Sequence, residues 1–200
     1  DISITATSGD GGQPDFAIGS GGTLGSANTN DIAINADTIG FTGTVSGNGI
    51  LTIQSRTDGR TIGLGSGAGD LAIDAASLAN IQNGFSEIDI GNADAGAITV
   101  GSGLSAFVDN LRLQSAGALA IDGTLSTGSN RLTLDIAGGG TQSAALTAGQ
   151  LLLLGTASNY TFNHAGNTIG TLAASVGSGS IALTNGNGTG FIVGSVGGTD

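Results

Sequence analysis

Few side chains in this chain could do chemistry, and their spacing limits what kind. His164 is the single histidine. A histidine can act as a base, but no Ser-His-Asp set is assignable around it and cysteine is absent. Its plainer reading is a solvated residue in the turn after Tyr160-Thr161-Phe162. Asp70, Asp89 and Asp109 lie 19 and 20 residues apart, so in a coil of that period they fall on one face. Two carboxylates at a defined separation can hydrolyse glycosides. A column of like charges is repulsive unless screened or bridged by a cation. A calcium cage needs six to eight oxygens, and the glycine-aspartate nonapeptide of calcium-binding β-rolls is missing. Arg56 and Arg60, in QSRTDGRT, are the one local basic pair; they could clamp a carboxylate or sulfate, or form a solvated loop beside Asp58. Arg112 and Arg131 sit on or next to outward strand faces, within reach of Asp109 and Asp135. The glycine string Gly63 to Gly69 resembles a dinucleotide fingerprint, but no βαβ context follows it. Threonine arrays of the ice-binding kind are limited to Thr5/Thr7 and Thr42/Thr44. No catalytic, cofactor-binding or metal-binding residue is assigned, no cofactor is expected, and ligand-binding residues remain open.

Composition narrows the partners. Four arginines, no lysine and fifteen acids leave a net charge of −11. Nucleic acid needs a basic face, which this chain lacks. It also offers no basic patch for an anionic membrane, and its longest apolar run, Leu151 to Leu154, is far short of a membrane span and reads as a strand core. Thirty-nine glycines would suit a disordered linker, but 38% hydrophobic residues and a mean hydropathy of +0.26 oppose that. The opening DISITATSG has no basic or apolar leader, and SVGGTD brings no polar cap. The chain is therefore expected to be an excerpt of something longer, its uncapped laps exposing edges for end-to-end or lateral self-association.

The elements that would hold these groups are short alternating runs. In Asn110 to Ala137, Leu111/Leu113, Leu119/Ile121 and Leu132/Leu134/Ile136 each present one apolar and one polar face. One series of such pairs runs Ile32/Ile34, Leu51/Ile53, Leu71/Ile73, Ile88/Ile90, Leu111/Leu113, Leu132/Leu134, Leu151/Leu153. A second runs Ile39/Phe41, Ile62/Leu64, Leu78/Ile81, Ile98/Val100, Leu119/Ile121, Ala144/Leu146. Two interleaved series predict two sheets per lap, with room for a weaker third strand. The fold class is all-β: a right-handed parallel β-helix of about ten laps of roughly 20 residues. It runs as one continuous segment over 1–200, with 1–30 least regular and 31–200 clearly repeating. Ser8 to Gln13 reads as a turn and Gly19 to Asn30 as a long loop. Helix is disfavoured throughout; its best candidate is Leu71 to Ile81. Asn110 and Asn130 either begin an asparagine ladder or are two separately solvated turn residues.

The C-terminal third carries a family resemblance. Leu151 to Gly155 (LLLLG), Tyr160-Thr161-Phe162, Gly166-Asn167-Thr168-Ile169, Leu172-Ala173-Ala174 and Ile192-Val193-Gly194 resemble a recurrent unit of filamentous-haemagglutinin-type exoproteins, the large adhesins of bacterial two-partner secretion. The likeness covers about Ile50 to Gly198. It implies a β-helical shaft, secreted to the bacterial cell surface, non-enzymatic, and exported through an outer-membrane partner barrel that acts on the parent protein. A host-cell glycan or matrix ligand would meet the strand flanks, Gly19 to Asn30, or the tip at Thr184 to Thr189. Two other readings share the architecture: a β-helical polysaccharide lyase or hydrolase fragment, and the stalk of a contact-dependent toxin.

Overall fold

A computed structural model describes residues 1–7, 13–186, 188 and 190–199. The expected turn at Ser8 to Gln13 lies mostly outside these, as do Asn187 and Thr189 of the expected tip. The chain winds as a parallel β-solenoid of about eight turns. The first face is a ladder of in-register parallel strands, from Ile2–Thr5 through Leu111–Ser115 and Arg131–Ile136 to Ile192–Val193. Its inward column is Ile2, Ile32, Leu51, Ile88, Leu111, Leu132, Leu151, Leu172 and Val193. Beside it run Ile4, Ile34, Ile53, Ile90, Leu113, Leu134, Leu153 and Ala174. The members from Ile32 to Leu153 in both columns are buried. Each large side chain contributes about 1.5–3 kcal/mol on burial, before entropy is subtracted.

The second face stacks Ile62–Leu64, Ile98–Val100, Leu119–Ile121, Gly140–Gln142, Tyr160–Phe162 and Ile181–Leu183. A third, shorter face exists as well. Thr23–Gly25 pairs with Thr44–Ser46, Val45 bridges to Ile81, and Leu125–Ser126 pairs with Leu146–Thr147. The stretch expected as a long loop, Gly19 to Asn30, therefore contains a strand.

Four departures from the sequence reading have physical causes. The lap count is about eight rather than ten, because the steps Ile2 to Ile32 and Leu51 to Ile88 take 30 and 37 residues. Leu71–Ile73 is not a rung of the first face: Ile88 stacks directly on Leu51, and Leu71 pairs with Ile62 on the second face. Parallel neighbours usually need a crossover of about a dozen residues; here the connection is only Gly65 to Asp70. It fits because the loop backbone lies against the sheet. A Cβ on Gly67 would stand 2.1 Å from the Thr99 carbonyl oxygen, and one on Gly63 would stand 2.2 Å from that of Gly67. The glycine string is thus required by close backbone approach.

Leu78 and Ile81 are not a second-face strand either. Ala75–Ala79 forms helix α1, where helix was disfavoured. Asp74 caps it by accepting the Ser77 N–H at 2.7 Å. The helix substitutes for a missing ladder. Ser77 Oγ accepts the Phe41 N–H at 3.1 Å, and Asn80 Nδ2 donates to the Phe41 carbonyl at 2.7 Å. Finally, the second-face rung near residue 140 is Gly140–Gln142, whereas Leu146 belongs to the third face. Gly140 leaves room for two rings: a Cβ there would meet Phe162 and Tyr160 at 3.0 and 3.1 Å.

Buried polar groups pin this region. Gln142 and the fully buried Asn167 exchange two amide hydrogen bonds, each 2.8 Å, and Asn167 Oδ1 also accepts the Leu146 N–H. The Tyr160 hydroxyl lies 2.8 and 3.0 Å from the carbonyls of Leu154 and Leu134 and accepts the Ile136 N–H at 3.2 Å. Burial pushes its pKa up to about 12. Tyr160→Phe takes from the buried Ile136 N–H the hydroxyl it donates to, so it is expected to cost about 1–3 kcal/mol in urea unfolding. An unchanged midpoint would show that the hydroxyl ties nothing together.

Candidate functional site

The polar residues singled out from sequence do not converge on one site. All four arginines instead form ion pairs between laps. On the outer side of the first face, Arg112 reaches down to Asp89 at 3.3 Å and up to Asp135 at 2.7 Å. Gln114 Nε2 donates to the same Asp135 oxygen at 2.9 Å. Arg131 spans two rungs to reach Glu87 at 2.5 Å. Arg112 thus meets Asp135 as expected, while Asp109 pairs with neither arginine.

Asp70, Asp89 and Asp109 do not form a column. Asp70 stands in the loop before Leu71, accepting the Thr61 N–H and hydroxyl at 3.1 and 2.9 Å. Those two bonds hold its carboxyl below the ordinary 3.8. Asp89 is on the first face, where burial raises its carboxyl against the pull of Arg112. Asp109 lies at a corner, accepting the N–H groups of Gly84 and Phe85 at 3.2–3.3 Å. Its burial pushes the carboxyl above 3.8, and those N–H groups only partly offset the push.

Arg56 and Arg60 turn inward onto Asp37, not toward Asp58 or an outside anion. Asp37 takes Arg56 Nη2 at 3.2 Å, the Thr57 hydroxyl at 2.6 Å and the Thr57 N–H at 2.9 Å, with Arg60 Nε at 3.8 Å. Burial alone would raise this carboxyl; Thr57 and the two guanidiniums outweigh it and lower it. Asp37 carried no chemical signal in the sequence, because a lone aspartate in IAINADTIG has no partner within its own segment. His164 sits in an exposed turn and accepts the Gly166 N–H at Nδ1, 3.0 Å.

Asn110 and Asn130 do occupy successive laps at one corner, but their amides bond to backbone. Asn110 Nδ2 donates to the Ser86 carbonyl, its Oδ1 accepts the Arg131 N–H, and Asn130 Nδ2 donates to the Val108 carbonyl, at 2.8–2.9 Å. Lower on the same corner, Asp31 Oδ1 accepts the Ile50 N–H at 2.8 Å. The corner is a column of side-chain-to-backbone ties.

Hollows break the surface among the described residues. A groove of about 210 Å³ lies beside α1, walled by Leu78, Ile81, Leu104, Phe107 and Val108 over Ile88. Its lining side chains are apolar apart from Ser105, with polar backbone exposed between them, so it supplies no acid, base or nucleophile of activated type. A smaller corner hollow of about 140 Å³ adjoins Gln114, Asp135 and Thr156. Among the described residues, no three histidine or acidic side chains come together to hold a metal ion. Among the described residues, no helix is long and apolar enough to cross a membrane. No family model, curated protein or solved structure gave a match to this chain.

Two predictions test this electrostatic picture. Trypsin cleaves after arginine, and Asp37→Ala frees the Arg56–Arg60 loop. Limited digestion of that variant is expected to cut after Arg56 and Arg60 several-fold faster, with cutting after Arg112 and Arg131 unchanged. Equal rates at all four would mean that Asp37 does not hold the loop. The second concerns pH. The folded Asp109 carboxyl keeps its proton to higher pH than the unfolded one. Between the two pKa values the folded chain binds more protons, so stability falls as pH rises from 3.8 through the folded value. That loss persists at neutral pH. Asp109→Asn keeps an acceptor for the backbone N–H groups, and is expected to raise the melting midpoint at pH 7 and flatten this fall.

Proposed function

We propose that this chain is a non-enzymatic structural and adhesive shaft segment of a secreted bacterial surface adhesin of the filamentous-haemagglutinin type. The observation that carries the reading is the use made of charge: in a continuous stack of about eight turns, every arginine ties one lap to another. Exposed ion pairs are worth only about 0–1 kcal/mol each, but pairs linking successive laps resist the shearing of one rung over the next. At ~4.8 Å per lap the segment adds roughly 40 Å of stiff rod. Such a rod holds a recognition region away from the cell. The parent protein would leave through an outer-membrane partner barrel, and its ligand would be a host-cell glycan or matrix protein. The motif likeness in Leu151 to Gly194 supports this, as does the acidic surface, which keeps an extracellular rod soluble.

The test is a binding screen of the folded chain against glycans and matrix proteins, with product analysis of any polysaccharide bound. Binding that maps to one side face, or no binding by an intact rod, fits an adhesive or spacing shaft respectively. A cleaved polysaccharide would overturn the reading.

A further inference from the structure

Asparagine followed by glycine is the dipeptide whose backbone most readily attacks its own side chain, because glycine has no side chain to obstruct the approach. The sequence holds such pairs at Asn48-Gly49, Asn83-Gly84, Asn185-Gly186 and Asn187-Gly188. Asn187 lies outside the described residues, so the first three can be compared. At two of them the stack holds the pair still. The Gly49 N–H donates to the Asn30 carbonyl at 3.1 Å, and a Cβ on Gly49 would collide with Asp31 Oδ1. The Gly186 N–H donates to the Asn167 carbonyl at 2.8 Å, and a Cβ there would collide with the Ala165 carbonyl. The Asn185 carboxamide is itself tied to the Ile169 backbone and the Gly190 carbonyl.

Asn83-Gly84 differs in each respect. It lies in an exposed turn, and the Asn83 carboxamide makes no hydrogen bond among the described residues. The nearest atom to a Cβ on Gly84 would be the Gly47 carbonyl oxygen, at 3.1 Å. Gly84 has φ of 135°, a conformation that glycine adopts cheaply. Its N–H points at a carboxylate rather than a carbonyl: Asp109 Oδ1 and Oδ2 stand 3.2 and 3.3 Å from the nitrogen. Asp109 is only 7% exposed, and burial makes its carboxylate a stronger base than one in water. A base within hydrogen-bond reach of the proton it removes is the geometry of general base catalysis.

We propose that Asn83-Gly84 is a self-modifying site, with Asp109 as its base and water as its co-substrate. As the Gly84 nitrogen bonds to the Asn83 side-chain carbonyl carbon, Asp109 takes the nitrogen's proton. It returns that proton to the side-chain nitrogen, which leaves as ammonia, and a cyclic succinimide closes. Water then opens either carbonyl of the ring, giving aspartate or isoaspartate. Water is consumed, ammonia is released, and nothing is oxidised or reduced. Both products place a new carboxylate near Asp109, and isoaspartate adds a methylene to the backbone path. Phe85 anchors this corner: it is buried, and its own N–H donates to Asp109 at 3.3 Å. Modification therefore loosens one corner of the long lap between Leu51 and Ile88, slowly and irreversibly, as the chain ages. The inference stands independently of the role proposed for the segment.

The test follows the three pairs in the unmodified chain during prolonged incubation at neutral pH. Trypsin cuts after Arg56, Arg60, Arg112 and Arg131, which puts Asn48, Asn83 and Asn185 on separate peptides. Fragment ions locate the mass gain of deamidation, and retention time tells isoaspartate from aspartate. Each rate is divided by that of the same pair in the guanidinium-unfolded chain, which removes intrinsic reactivity. Asn83 is expected to show the highest ratio, about ten-fold or more above Asn48 and Asn185. Asp109→Asn, checked for folding by far-UV circular dichroism, keeps an acceptor for the Gly84 N–H but removes the base. It should slow Asn83 about ten-fold and leave Asn48 unchanged. A ratio at Asn83 no higher than at Asn48 overturns the proposal, as does an Asn83 rate that Asp109→Asn leaves unchanged. Should that variant fail to fold, the ranking within the unmodified chain decides.

Discussion

Parallel backbone pairing in strict register is the constraint on which the rest of this molecule depends. A parallel ladder places each residue over its counterpart one lap away, at about 4.8 Å. Because side chains alternate, a slip of one residue would turn every inward leucine to solvent. Once Leu111 stands under Leu132 and Leu132 under Leu151, the outward residues between them are also fixed in columns. The core and the surface chemistry are two sides of the same register.

That register explains why the charged residues pair as they do. Arg112 stands in the column of Asp89, with Asp135 one lap up and two residues along. Long side chains therefore meet carboxylates of neighbouring laps without any loop having to bring them together. The corners obey the same rule through shorter side chains, as Asn110 and Asp31 each bond the backbone of an adjacent lap. A coil built this way uses much of its charge to join its own laps, which is the basis of the mechanical role proposed for it.

Irregularity is concentrated where the repeat takes in extra chain. The lap between Leu51 and Ile88 holds a second parallel strand, a glycine loop pressed on the sheet, and a capped single turn of helix. Ser77 and Asn80 supply the hydrogen bonds that a strand would have given Phe41. The third face loses its ladder beside this insertion, and the groove opens there. Higher up, Gln142 occupies an inward position on the second face, matched by Asn167 rather than by a hydrocarbon.

Alternation and period alone determined the fold class, the inward identity of the Ile and Leu pairs from Asp31 onward, and most first-face rungs, because those signals are local and survive in any lap. Several things were beyond their reach. Leu71/Ile73 alternates like a first-face strand, and only the stacking of Ile88 on Leu51 assigns it elsewhere. Gly140–Gln142 has no apolar signature, since its space is filled by rings twenty residues later. The partners of Arg56, Arg60 and Arg131 were equally hidden: Asp37 and Glu87 lie in other laps, and charge pairing depends on which laps become neighbours. Alternation with the inward pair Leu151/Leu153 turns Leu152 outward, but nothing within that strand foretells the Val196 that covers it. A one-dimensional pattern specifies which way each side chain points within its strand; which groups then meet is decided by lap lengths and by the paths of the loops, properties of the whole stack.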